Sequence, residues 1–233
     1  MQDRFKLLSI LRERQGSFHP IVPFNPKLDK LFPFDFTENN RELSVDQIED
    51  TNKFSDYINK QLKGHFCRYG IGGYGEHRTL YARSKHFDGG EEPRRLHLGT
   101  DIWGEAGTRV MCPADGIVHS FGFNNNDSDY GATIILTHNI ERISFHSLFG
   151  HLSLNSIKNL EEGKRIEIGE VFTEFGMRFE NGNWPAHLHF QIIIDMEGRK
   201  GDYPGVCKYS EKDKWLLNSP DPDLILDLSK YIP

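Results

Sequence analysis

The chain has 233 residues, a net charge of -6, 37% hydrophobic and 12% aromatic residues, so it can bury a proper core. The acidic balance and the lack of any Lys/Arg block argue against a nucleic-acid partner. No apolar run approaches the roughly 18 residues of a membrane span, and Cys67, Cys112 and Cys207 read as free thiols rather than a disulfide framework.

In chain order, residues 1–16 carry interspersed charges, and the apolar run from Leu7 to Leu11 is too short for a signal-peptide core. This favours a cytoplasmic location. Pro20, Pro23, Pro26 and Pro33 then interrupt a Phe-rich stretch, which should be extended and packed against another element. Ser44 and Gln47 form a capping-box pattern. Val45, Ile48, Phe54, Tyr57, Ile58 and Leu62 follow at helical spacing.

From about residue 66 short strands punctuated by glycine take over. Thr108 to Val110, Gly116 to Ser120 and Thr133 to Thr137 are β-branched or alternating, and residues 124–129 form a polar loop. Residues 1–65 therefore read as an extension with one helix signal, and residues 66–233 as a β domain with a C-terminal loop and a short helix near Asp223 to Leu228. A weak echo links Gly107-Thr-Arg-Val110 with following Gly116 to Gly163-Lys-Arg-Ile166 with following Gly169, as two copies of a small β unit would. The tail beyond residue 200 shows no obvious chemistry.

The chemistry lies in His97-Leu-Gly-Thr-Asp101 and His187-Leu-His189. Imidazoles with one carboxylate and no cysteine suit zinc, and three protein ligands would leave a fourth position open, as in catalytic sites. Gly99 and Gly104 disfavour a helix around the first pair. On the second motif's strand, His187, His189, Gln191 and Ile193 face one way, with like-facing side chains about 6.5–7 Å apart. His187 and His189 can share a pocket without both binding the metal, and spacing alone leaves open which one does. His151 reads locally as a turn histidine. His119, His138 and His146 read as structural or exposed, while His19, His65, His77 and His86 lack partners at ligand spacing. Cys112, before the Pro113-Ala-Asp-Gly116 turn, reads as a buried small residue.

The ordered set His97-x-x-x-Asp101, Gly107-Thr-x-Val110 with Pro113-Ala-Asp-Gly116, Gly150-His151-Leu152 and His187-Leu-His189-Phe190 resembles the lysostaphin-type (LytM-type) zinc metallopeptidases. The resemblance runs from about Gly70 to Ile194. Tyr74-Gly-Glu-His-Arg78 is similar to the Phe-Gly-x-Arg element preceding that family's core. Gly201-Asp-Tyr-Pro-Gly-Val206 and Ser219-Pro-Asp-Pro222 resemble a subgroup that also occurs joined to aminotransferases.

The resemblance implies a mainly β fold: an antiparallel β-sheet core of the duplicated-hybrid-motif kind, with a partly helical N-terminal extension. It implies one zinc ion held by His97, Asp101 and His189, with His151 and His187 as the unliganded catalytic pair. It further implies hydrolysis of an amide bond by metal-activated water, on peptidoglycan-type or related peptides. Residues 180–185, Glu-Asn-Gly-Asn-Trp-Pro, depart from the small turn usual before the His-x-His strand, and Trp184 should reshape the groove wall. Two other function classes stand beside this one: a cytoplasmic zinc hydrolase of a small amide or modified amino compound, and a non-enzymatic zinc-binding module. Tyr74 and Tyr81 are candidate groove residues, and the extension is expected to be a structural cap. Nothing in the sequence specifies an oligomeric state.

Overall fold

The computed structural model describes residues 2–78 and 92–233, so Tyr81 and His86 lie outside the described residues. The chain starts with a helix that the sequence reading did not single out, α1 (Gln2–Glu13). It buries Leu7, Ile10 and Leu11, an i, i+3, i+4 stripe, and Leu7 and Leu11 enter the main core. The proline-interrupted stretch is extended as expected and supplies β1 (Leu31–Phe34).

The capping box forms, with Gln47 N–H donating to Ser44 Oγ at 3.3 Å and Ser44 N–H donating to Gln47 Oε1 at 2.9 Å. The helical run is nevertheless two helices, α2 (Val45–Glu49) and α3 (Thr51–Gly64). Asp50 divides them because its extended backbone lets the carboxylate cap α3, accepting from the N–H groups of Asn52 and Lys53.

The β region contains β2 (Tyr69–Gly72), β3 (Arg94–His97), β4 (Thr100–Trp103), β5 (Arg109–Met111), β6 (Gly116–Asn124), β7 (Gly131–Ile140), β8 (Ile143–Leu152), β9 (Arg165–Ile166), β10 (Val171–Glu174), β11 (His187–Ile193) and β12 (Val206–Lys208). Eight strands form one sheet in the order β1-β2-β4-β11-β8-β7-β6-β9. Every pairing in it is antiparallel except β1 with β2, so the mainly β class holds with a mixed sheet. Pro33 is tolerated because β1 is an edge strand.

The sequence echo has a structural counterpart. In the first copy β5 precedes β6, and in the second β9 precedes β10. The first strand of each copy pairs with the second strand of the other: β5 with β10, and β9 with β6. Such reciprocal pairing is what a duplicated unit produces.

Alternation on β11 sets up the site. Leu188, Phe190 and Ile192 join the main core with Phe149, Ile134 and Leu136, sending His187, His189 and Gln191 to the opposite face. The chain closes with α4 (Lys212–Asn218), a second helix the sequence reading omitted, and the expected short helix α5 (Asp223–Leu226). Ile225, Leu226 and Leu228 return to the core beside Leu7 and Leu11. Among the described residues no helix is long and apolar enough to cross a membrane.

Candidate metal centre

Strand register assembles the centre. Asp101 on β4 lies opposite His189 on β11, with Gly72 of β2 on its other side, and Trp103 lies opposite His187. His97 ends β3 and reaches the same point through a tight Leu98-Gly99 turn. Gly99 is required there, since a Cβ would stand 2.5 Å from the His189 ring.

His97, Asp101 and His189 are the one group of potential metal donors found among the described residues, and all three are buried. His97 Nε2 lies 3.0 Å from His189 Nδ1, and Asp101 Oδ1 lies 3.3 Å from the former and 3.0 Å from the latter. Tetrahedral zinc with bonds of about 2.0–2.1 Å separates its ligand atoms by roughly 3.3–3.4 Å, so the triangle has the right size.

Protons make the case stronger. His97 Nδ1 donates to the Gly73 carbonyl at 2.9 Å, which makes Nε2 the unprotonated, accepting nitrogen. The amide of Gln191 must present nitrogen to the Pro204 carbonyl at 3.1 Å, and it also donates to Ser219 Oγ at 2.9 Å. Its oxygen therefore faces His189 Nε2 at 3.0 Å and accepts that proton, leaving Nδ1 bare as well. Three acceptors meet at 3.0–3.3 Å with no proton assigned among them, an arrangement that calls for a cation. Burial first, then the Arg78 guanidinium, pushes His97 down to about 4, so a proton is a poor candidate at neutral pH.

Arg78 balances the carboxylate from behind, Nη1 donating to Asp101 Oδ2 at 2.5 Å and Nε to Glu76 Oε2 at 2.7 Å. Burial raises the Asp101 pKa, but His97 and Arg78 beside it outweigh burial and hold it well below the ordinary value. Gly72 makes room for this pair, because a Cβ there would lie 2.6 Å from Arg78 Nη2.

The second imidazole pair lies beside the triangle. His151 and His187 have ring centroids 4.1 Å apart, and His151 lies 6.3 Å from His189. His151 Nδ1 donates to the Asn181 carbonyl and His187 Nδ1 to the Pro185 carbonyl, each at 2.8 Å, so both present an unprotonated Nε2. Burial lowers both: His187 to about 4, and His151 well below its ordinary value with help from His187. His151 adopts a left-handed backbone, φ 61°, near the end of β8, where its pairing with β7 shifts register.

The cleft over these groups is lined by Trp103, Tyr130, Trp184 and residues 202–206. Trp184 forms part of the wall, its ring 6.2 Å from both His151 and His187. Tyr74 does not line it; its hydroxyl donates to the Ser219 carbonyl at 2.6 Å, under the C-terminal segment. Tyr130 and Tyr203 are the groove tyrosines among the described residues; the Tyr130 hydroxyl is 3.4 Å from His189 Nε2, and Tyr130 follows the polar loop of residues 124–129. The tail is not inert either, since Pro204 and Ser219 orient Gln191. Only the period of β11 points to Gln191 in the sequence, and the Ser219-Pro-Asp-Pro222 segment marks Ser219 by resemblance without giving it this role.

His77, His119, His138 and His146 stay apart from the centre. His138 is buried between the Asp115 carbonyl and Ser147, His119 and His146 face each other with centroids 5.0 Å apart, and His77 packs on Tyr209. Cys112 is buried, which pushes its thiol up to about 12 and leaves it inert at neutral pH.

Two histidines and a carboxylate converging in a cleft, with two further imidazoles alongside, define a metallohydrolase type of site. Residues 95–202, a little under half of the chain, match the model of peptidase family M23. The L-Ala--D-Glu endopeptidase of Bacillus subtilis (strain 168) is 28% identical over 124 residues, 51% of this chain. The chain spans about a third of that relative, 35% of its length. Among solved structures, the catalytic domain of lysostaphin from Staphylococcus simulans is 20% identical, covering 69% of this chain and 96% of that one with a TM-score of 0.41. A zinc-containing peptidase from Vibrio cholerae is 23% identical over 42% of this chain and 27% of its own, with a TM-score of 0.34.

Proposed function

We propose that the chain is a zinc metallopeptidase, an endopeptidase of peptidoglycan-type or related peptides. His97, Asp101 and His189 are the ligands in this reading, and His151 and His187 move protons. The observation that carries it is the three-acceptor triangle, whose tautomers are fixed from outside by Gly73 and Gln191. Zinc held there would acidify a water towards a pKa of about 7 and polarise the scissile carbonyl. The chain's own groups do the rest. His151 and His187, both neutral with Nε2 free, accept the proton from the attacking water. The imidazolium so formed hydrogen-bonds the oxyanion and then passes its proton to the departing amine nitrogen. Asp101 supplies one negative charge, and Arg78 keeps that carboxylate ionised.

A second reading, hydrolysis of a small amide or modified amino compound, is favoured by two observations. The five site side chains belong to residues no more than 6% exposed. Segments resembling the aminotransferase-joined subgroup meet the site through Pro204 and Ser219. The test is zinc-loaded protein incubated with purified peptidoglycan, a peptide panel and small N-acyl amines, with new amino groups quantified. Release from peptide or peptidoglycan substrates is expected. Release from small amides alone selects the second reading, and none from any substrate defeats both.

A further inference from the structure

We propose that the N-terminal extension is part of the active site's working structure rather than a cap, with Trp103 as the positioning residue for His187. This rests on the reading of His187 as a catalytic imidazole. The Trp103 indole stacks on the His187 ring at 3.9 Å with planes 14° apart. Strand register places the two residues opposite each other on β4 and β11. Among the described residues the polar restraint on His187 is one Nδ1–H bond to the Pro185 carbonyl, which a ring pivoting about its Cβ–Cγ bond would break. The stacked indole blocks that pivot, because a turned ring would lose the face-to-face contact and strike the indole.

Trp103 is in turn held by the extension. The rings of Phe36, Phe54 and Phe34 meet it edge-on at 5.4, 5.7 and 6.4 Å, and the group shares one buried cluster with Trp184. Phe36 reaches the centre a second way. Its N–H donates to Glu76 Oε1 at 3.1 Å, Glu76 Oε2 accepts from Arg78 Nε, and Arg78 holds Asp101. The Arg78 guanidinium also lies 5.3 Å over the Phe36 ring. One residue of the extension thus braces both the His187 platform and the carboxylate's counter-ion. A cap would need only to cover apolar surface, whereas this segment is tied to two functional side chains by directed contacts.

The test uses the full chain and the side-chain 15N chemical shifts of His187, which report its tautomer. Wild type should show a single Nδ1–H tautomer. Trp103→Leu should give averaged tautomers with zinc stoichiometry unchanged, and Trp103→Phe should restore the single form. Phe54→Leu, which touches neither His187 nor a metal donor, should shift the signals in the same direction by less. Leu7→Ala, in the main core, is the control for general loosening. Where hydrolysis is measurable, Trp103→Leu should lower kcat about ten-fold with KM within about two-fold. An unchanged His187 signature in both Trp103→Leu and Phe54→Leu overturns the proposal, as does an equal change in Leu7→Ala. Zinc-loaded wild type that hydrolyses nothing defeats the peptidase reading instead, and leaves the tautomer comparison to decide the positioning role.

Discussion

The β region carries two clusters of histidines with different fates. The first joins His97 and His189 to Asp101, with His151 and His187 alongside. The second, on β6, β7 and β8, comprises His119, His138 and His146, whose ring nitrogens meet the hydroxyls of Ser120, Ser147 and Thr137. Burial shifts His97, His151 and His187 downward in the first cluster and all three imidazoles in the second, so depressed imidazoles alone do not mark a site. The difference is the partner. A hydroxyl can give or take a proton and satisfies an imidazole by itself. A carboxylate can only accept, and beside two imidazole lone pairs it makes a cluster of acceptors that a cation would satisfy.

The largest effect expected from breaking this contrast is at Arg78. Arg78→Met leaves Asp101 buried without its counter-ion and should destabilise the metal-free protein by about 3–5 kcal/mol. Thermal melting checks this, and added zinc should recover much of the loss, whereas it should not rescue a variant of the second cluster. Next comes the outer support of His189. Gln191→Leu removes the acceptor that fixes the tautomer and should weaken zinc binding about 10- to 100-fold in competition with a chelator.

The second cluster predicts a pH effect. His138 and His146 titrate below the unfolded value of 6.5, His146 at about 4, so the unfolded chain binds protons more readily. Their share of stability is therefore complete above pH 6.5 and is lost as pH falls towards the folded pKa. Measured by denaturant titration, His146→Gln should flatten the decline between pH 6.5 and 4 by about 1 kcal/mol, since the ring is partly solvated. The smallest effect belongs to His119→Ala, a half-exposed ring, with a change within about 0.5 kcal/mol and zinc binding untouched.

Sequence made the chemistry legible where short-range periodicity governs it. The period-two strand put His187 and His189 on one face, and Gly99 in a His-x-x-x-Asp motif signalled a turn rather than a helix. Spacing leaves open which of the two histidines joins His97 and Asp101, because that depends on register: His189 lies opposite Asp101, and His187 opposite Trp103. The duplicated unit was faintly visible in sequence, but its reciprocal pairing is a long-range fact. Asp50 dividing the helix was open to reading as a cap. What could not be read was tertiary: Ser219 orienting Gln191 from 28 residues away, and Phe36 meeting Trp103 across the sheet edge. Helix α1 was hidden for a simpler reason, as Leu7, Ile10 and Leu11 make a short stripe among charges.

The ligand assignment is tested most directly by zinc stoichiometry of the purified full chain and its single variants, determined by native mass spectrometry. Wild type and His187→Ala should each hold one zinc ion per chain, while His97→Ala, Asp101→Ala and His189→Ala hold none. Equal loss of zinc in His187→Ala and His189→Ala would contradict the division of the five residues into ligands and proton carriers.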